Sequence, residues 1–428
     1  MKNVHIHTLG CKLNYTESSS IAEQFRKKGF NFKPDDKPDI FIINTCSVTN
    51  NAERECRQIV RKIIKKYPDT FVIIIGCYAQ IRYQELSKIK GVDLILGNKD
   101  KFDIFTYEQT FSKKEKPEIF VSEFSEEDLA TPAYSSVEDR TRVFLKVQDG
   151  CDYKCSYCTI PLARGNSRSI DLKTIEKSII ALAEKGFKEV VITGVNVSDY
   201  GKKINSNFFE LIKKLDTIIE IPRIRISSIE PNNLNDDIID FIANSKRICH
   251  HFHIPLQSGD DNILKDMQRR YNVKHFVKIT EKIKKTLPDA GLGFDVIVGF
   301  PTETEDNFNN TYRLLKEIDF TYLHVFSYSI RPGTKASKLK MVPTHFEIED
   351  RSKKLRELSI RKKTSFLITQ LGKTYDVLFE SEIKDNKIFG FTSNYIRVGM
   401  QANNELINKI VNVRLEKVVN GYCESSLI

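Results

Sequence analysis

The 428-residue sequence lacks any uninterrupted apolar run of about 18 residues, which excludes a membrane-spanning helix of ordinary length. Its first residues, Met1-Lys-Asn-Val-His-Ile-His7, lack the apolar region of a secretory signal, so a cytoplasmic address and no membrane partner are expected. Without an export signal, and with an odd count of nine cysteines, a disulfide framework is not expected. In a reducing compartment such thiols serve as metal or redox ligands. A strong charge bias is also missing. The 67 basic and 57 acidic residues leave a formal +10, too modest an excess to identify a partner by itself. The basic residues cluster on two predicted helices, one with Arg54, Arg57, Arg61, Lys62, Lys65 and Lys66 and one with Arg351, Lys353, Lys354, Arg356, Arg361, Lys362 and Lys363. Such runs are more often solvated faces than binding sites.

Residues 1–98 alternate strand and helix, with strands predicted over 4–9, 39–45, 70–76 and 93–97 and helices over 17–28, 50–67 and 81–90. The run Phe71-Val-Ile-Ile-Ile75 is apolar throughout, as in a parallel strand covered on both faces. The expectation is an α/β domain with a small doubly wound parallel sheet. Near 107–140 periodicity fades and Glu118, Glu123, Glu126, Glu127 and Asp128 accumulate, which reads as a linker. From 141 the alternation resumes, with strands over 143–148, 189–195, 223–229, 251–257, 291–300 and 321–329 and helical patterns such as 174–185 and 304–317. Six βα units suit a partial barrel whose active face lies at the carboxyl ends of its strands. Beyond a basic helix over 347–368, short strands over 374–380, 387–392, 396–398 and 409–417 suggest a small antiparallel β-barrel of OB-like size. The expected division is 1–113, a linker over 114–136, a core over 137–367 and a barrel over 370–428.

Cys151, Cys155 and Cys158 form a C-x3-C-x2-C run behind the strand over 143–148 and Gly150. Structural zinc takes four protein ligands, commonly from two C-x2-C knuckles. No second knuckle follows, and the next cysteine, Cys249, belongs to another predicted unit. A [4Fe–4S] cluster on three cysteines keeps one iron open. A second triad is dispersed in sequence. Cys11, Cys46 and Cys77 each follow one of the first three predicted strands. In a parallel sheet those points share the carboxyl edge, so a shared cluster is expected, with chance placement as the alternative. Cys56 and Cys423 read as ordinary free cysteines. His251 and His253 alternate on one strand face and read as hydrogen-bonded core histidines rather than ligands or bases.

The first triad's spacing, with Tyr157 just before its last cysteine, resembles the radical S-adenosylmethionine (SAM) superfamily. The resemblance implies that SAM binds the open iron and is cleaved there to a 5′-deoxyadenosyl radical, with the protein positioning the cofactor. It also implies SAM contacts at four strand ends. These are Thr193, Gly194 and Val195; Ser228 and Glu230, with Ser227 beside them; Gln257; and Ile297, Gly299 and Pro301. The last group resembles a G-x-I-x-G motif only in part, because Asp295 replaces its first glycine.

The stretches His7-Thr-Leu-Gly-Cys-Lys-Leu-Asn14, Asn44-Thr-Cys-Ser-Val-Thr-Asn50, Gly76-Cys-Tyr-Ala-Gln80, Phe144-Leu-Lys-Val-Gln-Asp-Gly150, Ile229-Glu-Pro231 and His324-Val-Phe-Ser-Tyr328 narrow the resemblance. Together with the three-part organisation they resemble the radical SAM methylthiotransferases, over nearly the whole chain. That resemblance implies two [4Fe–4S] clusters, the second an auxiliary one on Cys11, Cys46 and Cys77 that carries sulfur, and a C-terminal TRAM domain that binds RNA. The motifs look most like the branch that converts C2–H to C2–S–CH3 on N6-threonylcarbamoyladenosine at tRNA position 37. Implied partners are a tRNA anticodon stem-loop, a sulfur source and an electron donor such as flavodoxin or ferredoxin, with the chain acting as a monomer. Arg164 and Arg168 are candidates to approach the substrate, solvated surface positions being the alternative. Rival readings are methylthiolation of isopentenyladenosine in tRNA or of a ribosomal-protein aspartate. From a different class comes a non-enzymatic iron–sulfur protein that binds RNA or senses redox state.

Overall fold

The computed structural model describes residues 1–125, 132–134 and 141–428, and the chain divides into two compact units. The first gathers the described residues of 1–136 with 144–169 and 329–337; the second gathers those of 137–143 with 170–328 and 338–428. Glu126, Glu127 and Asp128, and the expected boundary at 136–137, lie outside the described residues.

The first unit is built on a parallel sheet. Its elements are β1 (Val4–Thr8), α1 (Lys12–Lys27), β2 (Ile40–Thr45), α2 (Asn50–Lys66), β3 (Phe71–Gly76), α3 (Cys77–Leu86), β4 (Leu94–Leu96), α4 (Ile104–Tyr107) and β5 (Glu118–Phe120). Every residue of β2 and β3 is buried. Alternate side chains feed two cores. Phe41, Ile43, Val72 and Ile74 meet Cys56 and Val60 of α2, while Ile40, Ile42, Phe71 and Ile73 meet Ile21 and Phe25 of α1. Helix layers on both faces were expected from the apolar runs. The strand order was not: it is β1-β2-β3-β4-β5, without the reversal that defines a doubly wound sheet. Apolar runs report burial on two faces and say nothing of order. The stretch read as linker supplies β5, parallel to β4. Its three residues are exposed or half-buried, so no apolar run marks them.

The same unit holds β6 (Ala133–Tyr134), residues 144–146 of β7 (Arg142–Lys146), β8 (Gln148–Asp149), α5 (Ile160–Arg164) and β9 (Arg168–Ser169). β8 and β9 pair antiparallel, with Asp149 opposite Arg168, and close the neck of the loop that carries the first triad. The Cys151 N–H donates to the Gly165 carbonyl at 3.0 Å across that neck, and the Ser156 carbonyl in the loop accepts from the Ala336 N–H at 2.8 Å.

The second unit contains α6 (Leu172–Glu184), β10 (Glu189–Thr193), α7 (Phe208–Asp216), β11 (Arg223–Ile226), α8 (Asp236–Asn244), β12 (His251–Gln257), α9 (Asp261–Asp266), α10 (Val273–Thr286), β13 (Gly291–Val298), α11 (Glu305–Glu317) and β14 (Tyr322–Ser327). β10 pairs parallel with β11, and β12, β13 and β14 pair parallel in that order. A bridge from Ile224 to Ile248 links the two sets. One face of these strands is apolar: Phe252, Ile254, Leu292, Phe294 and Val296 are fully buried. The opposite face carries His251, His253, Asp295, Tyr322 and His324, as period-two alternation requires.

α12 (His345–Thr369) leads to β15 (Thr374–Lys384), β16 (Lys387–Thr392), β17 (Arg397–Gln401), β18 (Ile410–Val419) and β19 (Tyr422–Leu427), which close into a five-stranded barrel in the order β15-β16-β17-β19-β18, antiparallel as expected except where β17 and β19 pair parallel to close it. Val377, Phe379, Ile388, Val398, Val413, Leu415 and Cys423 fill it. Of the basic run on α12, Arg351 is consumed inside the unit by Glu303 at 2.6 Å, whereas Lys353, Lys354, Arg356 and Arg361 are exposed.

Candidate cluster-binding site

The first unit brings Cys11, Cys46 and Cys77 to one edge of its sheet. Thr8 lies opposite Asn44 and Thr45 opposite Gly76, so three strands end at one level. Cys11 caps α1, Cys46 follows β2 directly, and Cys77 opens α3. Gly10 makes the approach possible. A Cβ built there would lie 2.6 Å from the Cys46 Cβ and 2.8 Å from its Sγ, and its φ of +102° is a left-handed conformation.

Burial dominates the chemistry of these thiols. It pushes Cys46 up to about 12, helped by the neighbouring Cys77 thiol. It also raises Cys11, against the pull of Arg164, although water reaches part of the Cys11 residue surface. Hydrogen-bond donors are aimed at the sulfurs. Val48 N–H donates to Cys46, Asn98 Nδ2 to Cys77, Tyr153 N–H to Cys151 and Ile160 N–H to Cys158, each at 3.4 Å. Donors of this kind tune iron–sulfur thiolates. Tetrahedral zinc would hold thiolates about 3.8 Å apart. Among the described residues no three sulfurs all lie within 4.8 Å of one another. Soft thiolate donors of this kind fit an iron–sulfur cluster.

A buried charged hub joins the two triads. Glu17 on α1 is fully buried and accepts hydrogen bonds from Lys101 Nζ at 2.5 Å, Lys146 Nζ at 3.2 Å and both terminal nitrogens of Arg164 at 2.9 Å. Arg164 also donates to Asp149 Oδ1 and Asn14 Oδ1, both at 2.9 Å. Asn14 in turn donates to the carbonyls of Leu9 at 2.7 Å and Thr45 at 3.0 Å, fixing the turns that present Cys11 and Cys46. On the other side, Asn98 donates to the Ala163 carbonyl at 2.7 Å as well as to Cys77. Desolvation disfavours the Glu17 carboxylate, but Arg164, Lys101 and Lys146 outweigh it and hold the carboxyl well below its ordinary range. Three cations against two carboxylates leave buried positive charge in excess, and Arg168 adds more 3.9 Å from Asp149. Such an excess favours thiolates nearby.

These contacts correct the expectation for Arg164 and Arg168. Arg164 is about 1 % exposed, and its guanidinium bridges Glu17, Asp149 and Asn14. Arg168 is buried too, donating to the carbonyls of Arg164 at 2.8 Å and Asn166 at 3.1 Å, with its guanidinium 4.2 Å from the Phe124 ring centroid. Neither is a solvated surface residue, and both are committed to protein partners that position the triad loop. Sequence reasoning passed over Glu17, Lys101 and Lys146. A signal for Glu17 existed: it interrupts the buried ladder Leu13, Ile21, Phe25 at the i+4 position where an apolar residue belongs.

The candidate SAM residues of the second unit lie at strand ends. Thr193 ends β10 and is buried, and Gly194 and Val195 follow it half-buried. After β11 come Ser227, whose buried hydroxyl has no partner among the described residues, and the half-buried Ser228. Glu230 pairs with Arg269; burial still raises its carboxyl pKa. Gln257 ends β12 at φ +62°, unusual for a residue with a side chain, and its buried Oε1 also lacks a partner among the described residues. Ile297 is half-buried on β13, Gly299 follows at φ +78°, and Pro301 is buried. Tyr157, half-buried, belongs to the first unit. His251 is buried and bonded to Tyr322 at 2.8 Å, as a core histidine should be.

Residues 145–315 match the Radical SAM superfamily and residues 3–97 match the Uncharacterized protein family UPF0004. The chain is 36% identical over 448 residues to the threonylcarbamoyladenosine tRNA methylthiotransferase MtaB of Bacillus subtilis (strain 168), covering 100% of this chain and 97% of that one. The chain belongs to the radical SAM methylthiotransferase family. Another member, the protein of the same name from Aquifex aeolicus, is 37% identical over 96% of this chain and 99% of its own. A tRNA-2-methylthio-N(6)-dimethylallyladenosine synthase of Clostridium botulinum is 32% identical over 96% and 94%. In fold, the chain resembles the radical SAM methyltransferase TsrM of Kitasatospora setae, with a TM-score of 0.55 at 13% identity, covering 78% of this chain and 77% of that one. Membership brings SAM and a [4Fe–4S] cluster as cofactors. No described helix is long and apolar enough to cross a membrane.

Proposed function

We propose that this methylthiotransferase converts N6-threonylcarbamoyladenosine at tRNA position 37 to its 2-methylthio derivative. The observation that carries the reading is the full-length 36% identity to a relative named for that substrate, beside 32% to the dimethylallyladenosine synthase. The second thiol triad supports it, because attaching sulfur needs a site separate from the one that generates a radical. When bound, SAM and a [4Fe–4S] cluster supply the radical that an inert aromatic C–H demands, and a second cluster supplies sulfur.

The chain's residues take these roles. Cys151, Cys155 and Cys158 hold the SAM-binding cluster, and Cys11, Cys46 and Cys77 hold the auxiliary one. Arg164 and Glu17 fix the two thiol-bearing segments of the first unit relative to one another. Thr193, Gly194, Val195, Ser228, Glu230, Gln257, Ile297, Gly299 and Pro301 are the SAM contacts of the second unit, where the Gln257 oxygen, without a partner among the described residues, is ready to accept a hydrogen bond, and Tyr157 is the SAM contact of the first unit. The five-stranded barrel is a TRAM-like RNA-binding domain over 370–428, following a radical SAM core over 137–367, a linker over 114–136 and an N-terminal domain over 1–113. The exposed cations of α2 and α12 grip tRNA phosphates, which predicts salt-dependent affinity. The target base of the anticodon loop is splayed from its stack, as single-stranded loops permit. A sulfur source and an electron donor such as flavodoxin or ferredoxin complete the cycle.

The test is mass spectrometry of tRNA nucleosides from a host with and without the gene. Gain of 2-methylthio-N6-threonylcarbamoyladenosine is the expected result. Gain of the isopentenyl analogue instead, or unchanged tRNA, overturns the assignment.

A further inference from the structure

We propose that His253, Asp295 and His324 form a divalent-cation site in the second unit. The three residues come from the adjacent parallel strands β12, β13 and β14, with Asp295 directly opposite His324 in register and Pro255 on its other side. One ligand atom from each lies within 4.8 Å of the other two. Both imidazoles aim at the same oxygen: His253 Nε2 is 2.9 Å and His324 Nδ1 3.1 Å from Asp295 Oδ1. Ligand atoms on a zinc-like ion stand about 3.3 Å apart, so rotamer adjustments alone would admit one. Two imidazoles with one carboxylate suit a borderline transition ion such as Zn(II) or Fe(II) and leave positions open for an oxygen donor.

An outer partner is already built. Metal-bound histidine ordinarily donates its other ring N–H to a fixed acceptor. His253 Nδ1 is 3.2 Å from the Tyr322 hydroxyl, which also lies 2.8 Å from His251 Nε2. With Nε2 on the ion, His253 donates from Nδ1 to Tyr322, and Tyr322 donates onward to His251. Gly293 exists for this arrangement. It lies opposite both His253 and Tyr322, and a Cβ there would stand 2.2 Å from the tyrosine ring. Only glycine lets the ring lie across β13 to reach the histidines. Glu230, close enough to Asp295 for mutual repulsion, is paired with Arg269, which leaves Asp295 as the carboxylate of the triad, held by His253 and His324 at its Oδ1.

The cluster-loaded, untagged protein is dialysed anaerobically against micromolar zinc, and zinc and iron are counted separately per chain. One zinc is expected at unchanged iron, with affinity at least tenfold weaker in Asp295→Asn and His324→Ala and about tenfold weaker in Tyr322→Phe. His324 is half exposed, so its truncation leaves the fold intact, and retained iron reports on that. No bound zinc, or zinc held equally by Asp295→Asn and His324→Ala, overturns the site. The readout is independent of tRNA, so it stands apart from the substrate assignment.

Discussion

Arg164 grips both carboxylate oxygens of Glu17, 147 residues earlier in the chain, through two hydrogen bonds of 2.9 Å. The pair ties the helix behind Cys11 to the helix that closes the loop of Cys151, Cys155 and Cys158. Removing one partner of a buried ion pair leaves the others uncompensated, at a cost of about 3–5 kcal/mol. Glu17→Gln strands Lys101, Lys146 and Arg164 with Asp149 alone. Urea unfolding of the cluster-free protein should show the loss, and reconstituted iron should fall at both triads. A variant of wild-type stability would mean that the hub is ornamental.

The same hub sets an acid limit. Glu17 and Asp149 are both held below their ordinary ranges by Arg164 and lysine partners, which outweigh desolvation. A depressed folded pKa contributes stability above the unfolded value, near 4.5 for Glu17 and 3.8 for Asp149, and that stability is lost as pH falls below it. Thermal midpoints of the cluster-free chain should therefore decline steeply below about pH 5. Glu17→Gln should decline less over the same interval, since it has one such carboxylate fewer. Parallel curves would contradict the assignment.

Thiol reactivity offers a check on the second triad. Burial raises Cys46 to about 12 and Cys56 also to about 12, so both are thiols at pH 8 when no cluster is bound. Iodoacetamide reacts with thiolates, so both should label slowly in the folded cluster-free protein and quickly in urea. Cluster loading should add no fast phase: Cys46 is then blocked as a ligand, and Cys56, in the hydrocarbon core under α2, stays buried. Loading should also release protons, because each thiol gives up its proton to bind iron. Fast labelling of folded, cluster-free Cys46 at pH 8 would refute its burial.

How much of this was legible from the sequence divides by mechanism. Period-two and period-three patterns located β12 over 251–257 and β16 over 387–392 to the residue, because their apolar faces pack directly against a core. The convergence of Cys11, Cys46 and Cys77 followed from strand ends alone. The order of the first sheet and the existence of β5 did not, since pairing is decided between strands and β5 is too short and too exposed to leave a pattern. Arg164 and Arg168 were misread for a related reason. A sequence shows an arginine's charge but not its partner, and the carboxylates that hold Arg164 stand 147 and 15 residues away. The His253, Asp295 and His324 grouping needed three registers at once.

The second unit has its own buried anchor. Arg225 on β11 donates to Glu189 at 2.8 and 3.2 Å and continues to the carbonyls of Thr392 at 3.1 Å and Ser393 at 2.9 Å. Arg223 reaches the Phe391 carbonyl at 2.9 Å. The turn after β16 is thus held by two arginines of the parallel strands. Arg225→Met should cost about 3–5 kcal/mol by leaving Glu189 its longer contact with Arg223, 4.0 Å away, and trypsin should cut the loosened barrel sooner. Combining it with Glu189→Gln should recover part of the loss, which simple cavity formation would not.

Gln257 separates stability from cofactor binding. At φ +62° its backbone occupies a region costly to side-chain-bearing residues, and its buried Oε1 has no partner among the described residues. Both features persist only where something else rewards them. Gln257→Gly removes the strain and the oxygen together. Its thermal midpoint should match or slightly exceed wild type, because glycine tolerates positive φ while adding freedom to the unfolded chain. SAM affinity, read by equilibrium binding to the cluster-loaded protein, should fall by about tenfold, the worth of one hydrogen bond in a dry site. Gln257→Asn, which tolerates the left-handed backbone but has a shorter reach, should keep stability and still bind poorly. If both variants bind SAM normally, the oxygen faces something other than the cofactor, and the strand end after β12 must be removed from the SAM site.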